Sequence, residues 1–206
     1  MLGGLLLGGL AGCASGTNPG ESESIPTFSS AARAGGATAA RTDRETLLPV
    51  DCTDVISGEK MSALLGQPVD SVGVHTVLGL PAPAVGRLER MTCQYQRAKV
   101  KGASPDVEMI LAAYATRAQA DGQQVTNVAA ERREAQSAST LSIGSAHGVL
   151  FDERVKTVLM VTSGRSSVSM TMLRGVAASD QTRAVMVDLV QRVLPNLAPE
   201  PVSESR

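Results

Sequence analysis

Residues 155–173 constrain the fold of this chain most. Val155 to Thr162 and Ser166 to Leu173 flank Ser163-Gly164-Arg165, and in the second arm Val168, Met170 and Met172 alternate with Ser167, Ser169 and Thr171. A period of two on either side of a compact glycine turn predicts an antiparallel hairpin. In the first arm Thr157, Leu159 and Val161 alternate with Val158 and Met160. An isolated hairpin is marginal in water, so further strands must join it. Candidates are Val69 to Val77, Leu88 to Arg97, Val107 to Tyr114, Thr140 to Ile143 and Gly148 to Phe151, the last two around Gly144.

Three helices complete the pattern. Ser57 to Gly66 has a capping serine, Met61, Leu64 and Leu65 on one face, and a glycine suited to the left-handed end position. Thr116 to Glu134 has a thinner apolar face (Ala118, Val125, Val128, Ala129) and is interrupted by Asp121-Gly122. The last is capped by Ser179 or Asp180, carries Val185, Met186, Leu189, Val190, Val193 and Leu194 as one stripe, and ends at Pro195. The expected architecture is α+β: an antiparallel sheet of about five to seven strands whose apolar face is covered by two or three helices. It occupies one domain, residues 47–199, followed by a disordered tail at 200–206. The methionine-rich strands suit either a ligand groove or gap filling in a core nearly devoid of aromatics.

The N-terminal quarter is different. Residues 2–12, LGGLLLGGLAG, form an uncharged run too short to span a bilayer but of signal-peptide length. It closes on Leu10-Ala11-Gly12-Cys13, which resembles the lipobox of bacterial lipoproteins at all four positions. The resemblance implies a diacylglycerol on the Cys13 sulfur, cleavage of residues 1–12, and a membrane attachment. No Lys or Arg precedes the run, so a basic start upstream of Met1 is expected. Residues 14–46 are rich in Ser, Thr, Gly, Ala and Pro with a single aromatic, Phe28. They hold too little apolar surface to repay chain entropy and read as a disordered tether.

Of three cysteines, Cys13 is committed to lipid and leaves Cys52 and Cys93. Outside the cell a disulfide is the default for such a pair, with two buried free thiols as the other reading. Met91, Cys93 and Tyr95 share the face of their strand expected to point inward. There is no C-x-x-C spacing, and two isolated histidines, His75 and His147, make no metal-ligand cluster. No metal and no cofactor are expected.

The formal net charge of −1 argues against a nucleic-acid partner, which requires a basic face. Two Tyr, two Phe and no Trp leave little on which bases could stack. Enzyme signatures fail one by one. Gly144-Ser145-Ala146-His147-Gly148 has alanine where a nucleophile elbow needs serine. We further expect Ser145 and His147 to project to opposite faces. Asp152-Glu153 reads as an exposed hairpin turn and Glu131-Arg132-Arg133-Glu134 as a solvated helix face. Phosphate-loop, dinucleotide and zinc-protease motifs are missing from the sequence.

Leu78 to Arg87, LGLPAPAVGR, is the most apolar aperiodic stretch of the folded part. Pro81 and Pro83 exclude regular structure. Its Leu78, Leu80 and Val85 either cap the edge of the core or form a contact loop, with Arg87 able to orient an anionic or carbonyl group.

Leu10 to Cys13, Cys52 ahead of Ala63-Leu64-Leu65-Gly66, and Cys93-Gln94-Tyr95 together resemble small actinobacterial envelope lipoproteins with a domain of unknown function. The excess of 15 Arg over 4 Lys fits such a source. The resemblance implies no catalytic residues. The expected function is a non-catalytic, lipid-anchored module on the outer face of the cell membrane that binds a lipid-like ligand or an envelope protein. The alternative is a secreted hydrolase or cell-wall enzyme.

Overall fold

A computed structural model of the chain describes residues 46–68, 72–97 and 104–197, all within one compact unit, Asp43–Arg206. The lipobox, Cys13, the tether up to residue 45 and the tail at 200–206 lie outside the described residues.

Seven strands form one antiparallel sheet: β1 (Val72–Gly79), β2 (Arg87–Arg97), β3 (Val107–Tyr114), β4 (Ser137–Ile143), β5 (Ala146–Asp152), β6 (Lys156–Ser163) and β7 (Ser166–Leu173). Their spatial order is β1-β2-β3-β7-β6-β5-β4. Two up-and-down meanders, β1 to β3 and β4 to β7, are therefore joined where β7 docks on β3. Each expected strand is present at least in part, and so is the β6–β7 hairpin, whose Gly164 takes φ +56 at the turn.

Register explains the core. Cys93 lies opposite Met109, Met109 opposite Met170, Met170 opposite Leu159, and Leu159 opposite Leu150. That row and its neighbours Met91, Leu111, Val168 and Val161 form one continuous buried surface. The methionines at 91, 109, 170 and 172 are sealed in it, so this stripe is core rather than groove. Over this face lie α1 (Cys52–Val55), α2 (Gly58–Leu64) and α4 (Thr182–Val193), which contribute Met61, Met186, Leu189, Val190 and Val193.

The opposite face is also covered. Ala112 and Tyr114 of β3 pack on Ala120 of α3 (Arg117–Glu131), while Phe151, Val158 and Met160 meet Val128 and Ala135. The sheet thus has helices on both sides, and β6 is apolar at consecutive positions because both of its faces are dry. The expectation of a single apolar face is corrected accordingly. So, in part, is the face assigned to α3: Val128 packs on the sheet as expected, but Ala118, Val125 and Ala129 are exposed, and Ala120 supplies the other contact. Asp121-Gly122 does not interrupt it. Thr116 and Gln119 close a reciprocal capping box at its start, which fixes the helix ahead of the weak spot.

Smaller differences have local causes. α1 was not anticipated, since four residues carry no period; Asp51 builds it by accepting from the Thr53 N–H and hydroxyl, both at 2.8 Å. Those two bonds hold the exposed Asp51 carboxyl below its usual value. α2 matches, with Ser57 capping the Lys60 N–H and Gly66 at φ +62. Gln181, without a side-chain bond, occupies the cap of α4 in place of Ser179 or Asp180. Leu78 and Gly79 extend β1, whereas 69–71 lie outside the described residues.

Glu153 is not an exposed turn residue: it is only 7% accessible. Lys156 Nζ lies 3.0 Å from Glu131 Oε1 and 3.3 Å from Glu153 Oε1, so the two carboxylates share one ammonium between α3 and the β5–β6 turn. Glu131 therefore does not belong to a solvated face. Burial, and then the Glu131 carboxylate, push the Glu153 carboxyl above its usual value. Burial alone would also raise Glu131, but hydrogen bonds with Glu153 and Lys156 outweigh it and hold that carboxyl low. A raised acid penalises the fold as pH climbs through its titration, whereas a lowered acid stabilises it above the unfolded value. Glu153→Gln should thus gain stability relative to wild type between pH 4 and 7. Glu131→Gln should lose it over the same range, its deficit vanishing in acid. Urea melts at several pH values would read both, and parallel pH slopes for the two variants would refute the assignment.

Candidate functional site

One end of the sheet assembles the predicted contact residues. β1 and β2 are joined by Leu80 to Gly86, which contains a 3-10 turn, Pro83–Val85. Ala82 and Arg87 bond mutually at 2.8 and 3.1 Å, and the Ala115 N–H donates to the Gly86 carbonyl at 2.9 Å. Gly86 sits at φ +68, and a side chain there would collide with Gln119 of the α3 capping box. The loop is consequently ordered and pinned at its base.

Its apolar side chains nevertheless face outward. Leu78 is 66% exposed and Leu80 84%, with Val85 also exposed. These residues do not cap the core, contrary to one of the two readings the sequence allows. Alongside runs the entering segment 46–50. Leu47 and Leu48 N–H groups donate to one oxygen of Glu89 at 3.0 and 2.9 Å, which buries Leu48 and leaves Val50 on the surface.

Between these elements lies an open groove of about 640 Å³. Its apolar walls include Val50, Leu78, Pro81 and Leu88, and its polar groups are Glu89, Arg87, Arg90 and Arg165. Arg165 arrives from the β6–β7 turn because the Tyr114 N–H donates to its carbonyl at 2.9 Å, next to the Arg87–Tyr114 pair. Sequence reasoning found two of the groove's lining residues, Leu78 and Arg87; Leu80 and Val85 are exposed on the neighbouring loop but do not line the groove. The same reasoning missed Arg90, whose place on the outer strand face looked like an ordinary polar alternation, and Arg165, which is remote in sequence.

The cysteines are joined as expected by default: Cys52 and Cys93 form a disulfide with Cα atoms 5.4 Å apart. Tyr95, two residues on, donates its hydroxyl to the Ile56 carbonyl at 3.0 Å; burial raises its pKa. This corner ties α1 to the middle of β2.

A second groove of about 500 Å³ contains Ser145, His147 and Asp121. Ser145, in the β4–β5 turn, and His147, on β5, both line this groove, so the expectation that they face apart is corrected. Yet among the described residues no hydrogen bond joins Ser145 to His147, and Asp121 instead faces Arg117 at 3.6 Å. All three are exposed. A serine nucleophile needs a base in bonding reach and a shielded site, neither of which this arrangement supplies. His75 lies exposed on β1 opposite Gln94. Among the described residues there is no cluster of three metal-ligating side chains and no helix long and apolar enough to cross a membrane.

No protein-family model and no curated protein matches this chain. Among solved structures it is similar to the extracellular domain of PknH from Mycobacterium tuberculosis, with 11% identity and a TM-score of 0.43 over 72% of this chain and 93% of that one. At that overlap neither site residues nor function carry across.

Proposed function

We propose that this chain is a non-catalytic binding module of the bacterial envelope, held on the outer face of the cytoplasmic membrane through lipid on Cys13. Its binding surface is the groove at the β1–β2 end together with the exposed apolar loop beside it. The observation carrying the proposal is the exposure of Leu78 at the end of β1 and of Leu80 and Val85 on the ordered, proline-stiffened loop that follows it. Apolar side chains that neither pack on the core nor sit on mobile chain are suited to contact, and a preformed loop loses little entropy on docking. The Cys52–Cys93 disulfide suits an oxidising compartment.

Leu80→Ser/Val85→Ser tests the surface. We expect an unchanged melting temperature and loss of chemical cross-links to envelope components. Lost stability with unchanged cross-links would make the loop structural and end the proposal.

The hydrolase reading draws on one observation, the meeting of Ser145, His147 and Asp121 in a groove. It predicts labelling by a fluorophosphonate that His147→Ala abolishes. We expect no labelling, because the hydroxyl has no base bonded to it; labelling at Ser145 would favour the enzyme.

A further inference from the structure

We infer that the groove at the β1–β2 end binds an anionic phospholipid, with the headgroup phosphate on Arg87, Arg90 and Arg165 and acyl carbons along Val50, Leu78 and Leu88. The inference rests on the binding-module reading and names the ligand class of that same site.

Charge comes first. Three guanidiniums line the groove against one carboxylate, Glu89, which already accepts from Leu47 and Leu48. None of the three arginines forms an ion pair among the described residues. Their Nε atoms are all shielded from solvent, and all lack an acceptor. Among the described residues the sole side-chain bond from this trio is a 3.5 Å contact of Arg87 Nη2 with the Leu80 carbonyl. A shielded, unanswered N–H donor is costly unless a ligand supplies the acceptor. Three arginines that line one groove from two hairpins suit the several oxygens of a phosphate, which arginine recognises through forked bonds. Gly79 helps place one of them: a Cβ there would come within 3.1 Å of the Arg90 side chain, so the missing side chain lets the Arg90 stem lie across β1.

Apolar surface comes second. A free phosphate has no use for the 63% exposed Val50 or the exposed Leu78 and Leu88 beside these guanidiniums. A cationic pocket with an apolar rim is complementary to an anionic amphiphile.

Chain geometry comes third. Thr46, the first of the described residues, lines the groove. Between Cys13 and Thr46 there are 32 residues. As a flexible tether they would reach roughly 30 Å, which keeps the groove within range of the leaflet holding the anchor.

The test uses the full chain carrying Cys13→Ala, so that vesicle binding reads the groove and not the anchor. It should float with equimolar phosphatidylglycerol–phosphatidylcholine vesicles and remain behind with pure phosphatidylcholine. Arg87→Gln/Arg90→Gln/Arg165→Gln should weaken that binding roughly a hundredfold, at about fivefold per guanidinium near an anionic surface. Arg165→Gln alone, in a turn, should weaken it about fivefold with an unchanged melting temperature, so misfolding of the triple variant would not obscure the result. Leu78→Ser/Leu88→Ser should weaken it as well. Equal binding to both vesicle types, or undiminished binding by the arginine variants, would overturn the inference. Saturation by inorganic phosphate without vesicle binding would overturn it in favour of a small anion. Envelope cross-links that depend on Leu80 and Val85, without any vesicle binding, would sink the lipid assignment and leave the binding-module reading standing.

Discussion

Cys52→Ala/Cys93→Ala should lower stability by about 4 kcal/mol, the entropy cost of closing a loop of about 40 residues in the unfolded chain. For a domain near 150 residues that corresponds to a fall in melting temperature of roughly 8–16 °C. The bond holds α1 and the edge of the sheet to its interior. β1 has β2 as its only strand neighbour, and α1 is four residues long, anchored by the Asp51 cap, the Cys52 N–H to Thr76 Oγ1 bond at 3.0 Å and the disulfide. Both sulfurs are fully buried, so alanine leaves a modest void but introduces no unpaired polar group. Hydrogen exchange should localise the loss: amides of β1 should lose protection first, while those of β6 and β7 stay protected at the sheet centre. Calorimetry of the variant and of reduced wild type would measure the effect. A change below about 2 °C in both would mean that packing at Tyr95 and Met61 already fixes this corner.

How far the sequence foretold this structure follows from what each element depends upon. β7 was legible to the residue because its buried face alternates with Ser and Thr, a clean period of two, and β3 because it is a short, nearly continuous apolar run of the kind a strand buried on both faces shows. β4 was foreseen only at its inner end: Ser137, Ala138 and Ser139 are exposed and have no apolar alternation to announce a strand. α3 was placed correctly, but of its expected face Val128 alone docks among the described residues. Ala120 and Val128 pack on the sheet, with the half-buried Gln123 and Asn127 bonded to each other, a mixture of small and polar residues that hydropathy does not pick out, whereas Val125 faces water. The sheet order depends on β7 returning to β3 across about fifty residues of chain, and local pattern contains no record of that pairing.

The candidate site divides similarly. Apolar residues around two prolines stand out in any sequence, so Leu78, Leu80, Val85 and Arg87 were recognisable. Arg90 and Arg165 were not, since each is an ordinary exposed-position arginine until the Arg87–Tyr114 pair and the Tyr114–Arg165 bond bring three elements to one sheet end. The Glu131–Lys156–Glu153 cluster escaped for the same reason: a charge run has no sequence mark that separates a solvated face from a buried one.

Removing the anchor should have an all-or-none effect on location. Two acyl chains on Cys13 would hold the protein through an alkaline carbonate wash, which strips proteins bound by charge and surface contact. The folded unit should not notice their loss, because its core is built from residues between Leu48 and Leu197. The most direct test of the anchored-module account is therefore to express wild type and Cys13→Ala in an actinobacterial host and wash the membranes with carbonate. Wild type should remain in the pellet with an N-terminal diacylglyceryl cysteine by mass, and Cys13→Ala should be released with the melting temperature of the native domain. A Cys13→Ala chain that still sediments after the wash, or a wild-type chain without lipid at Cys13, would contradict it.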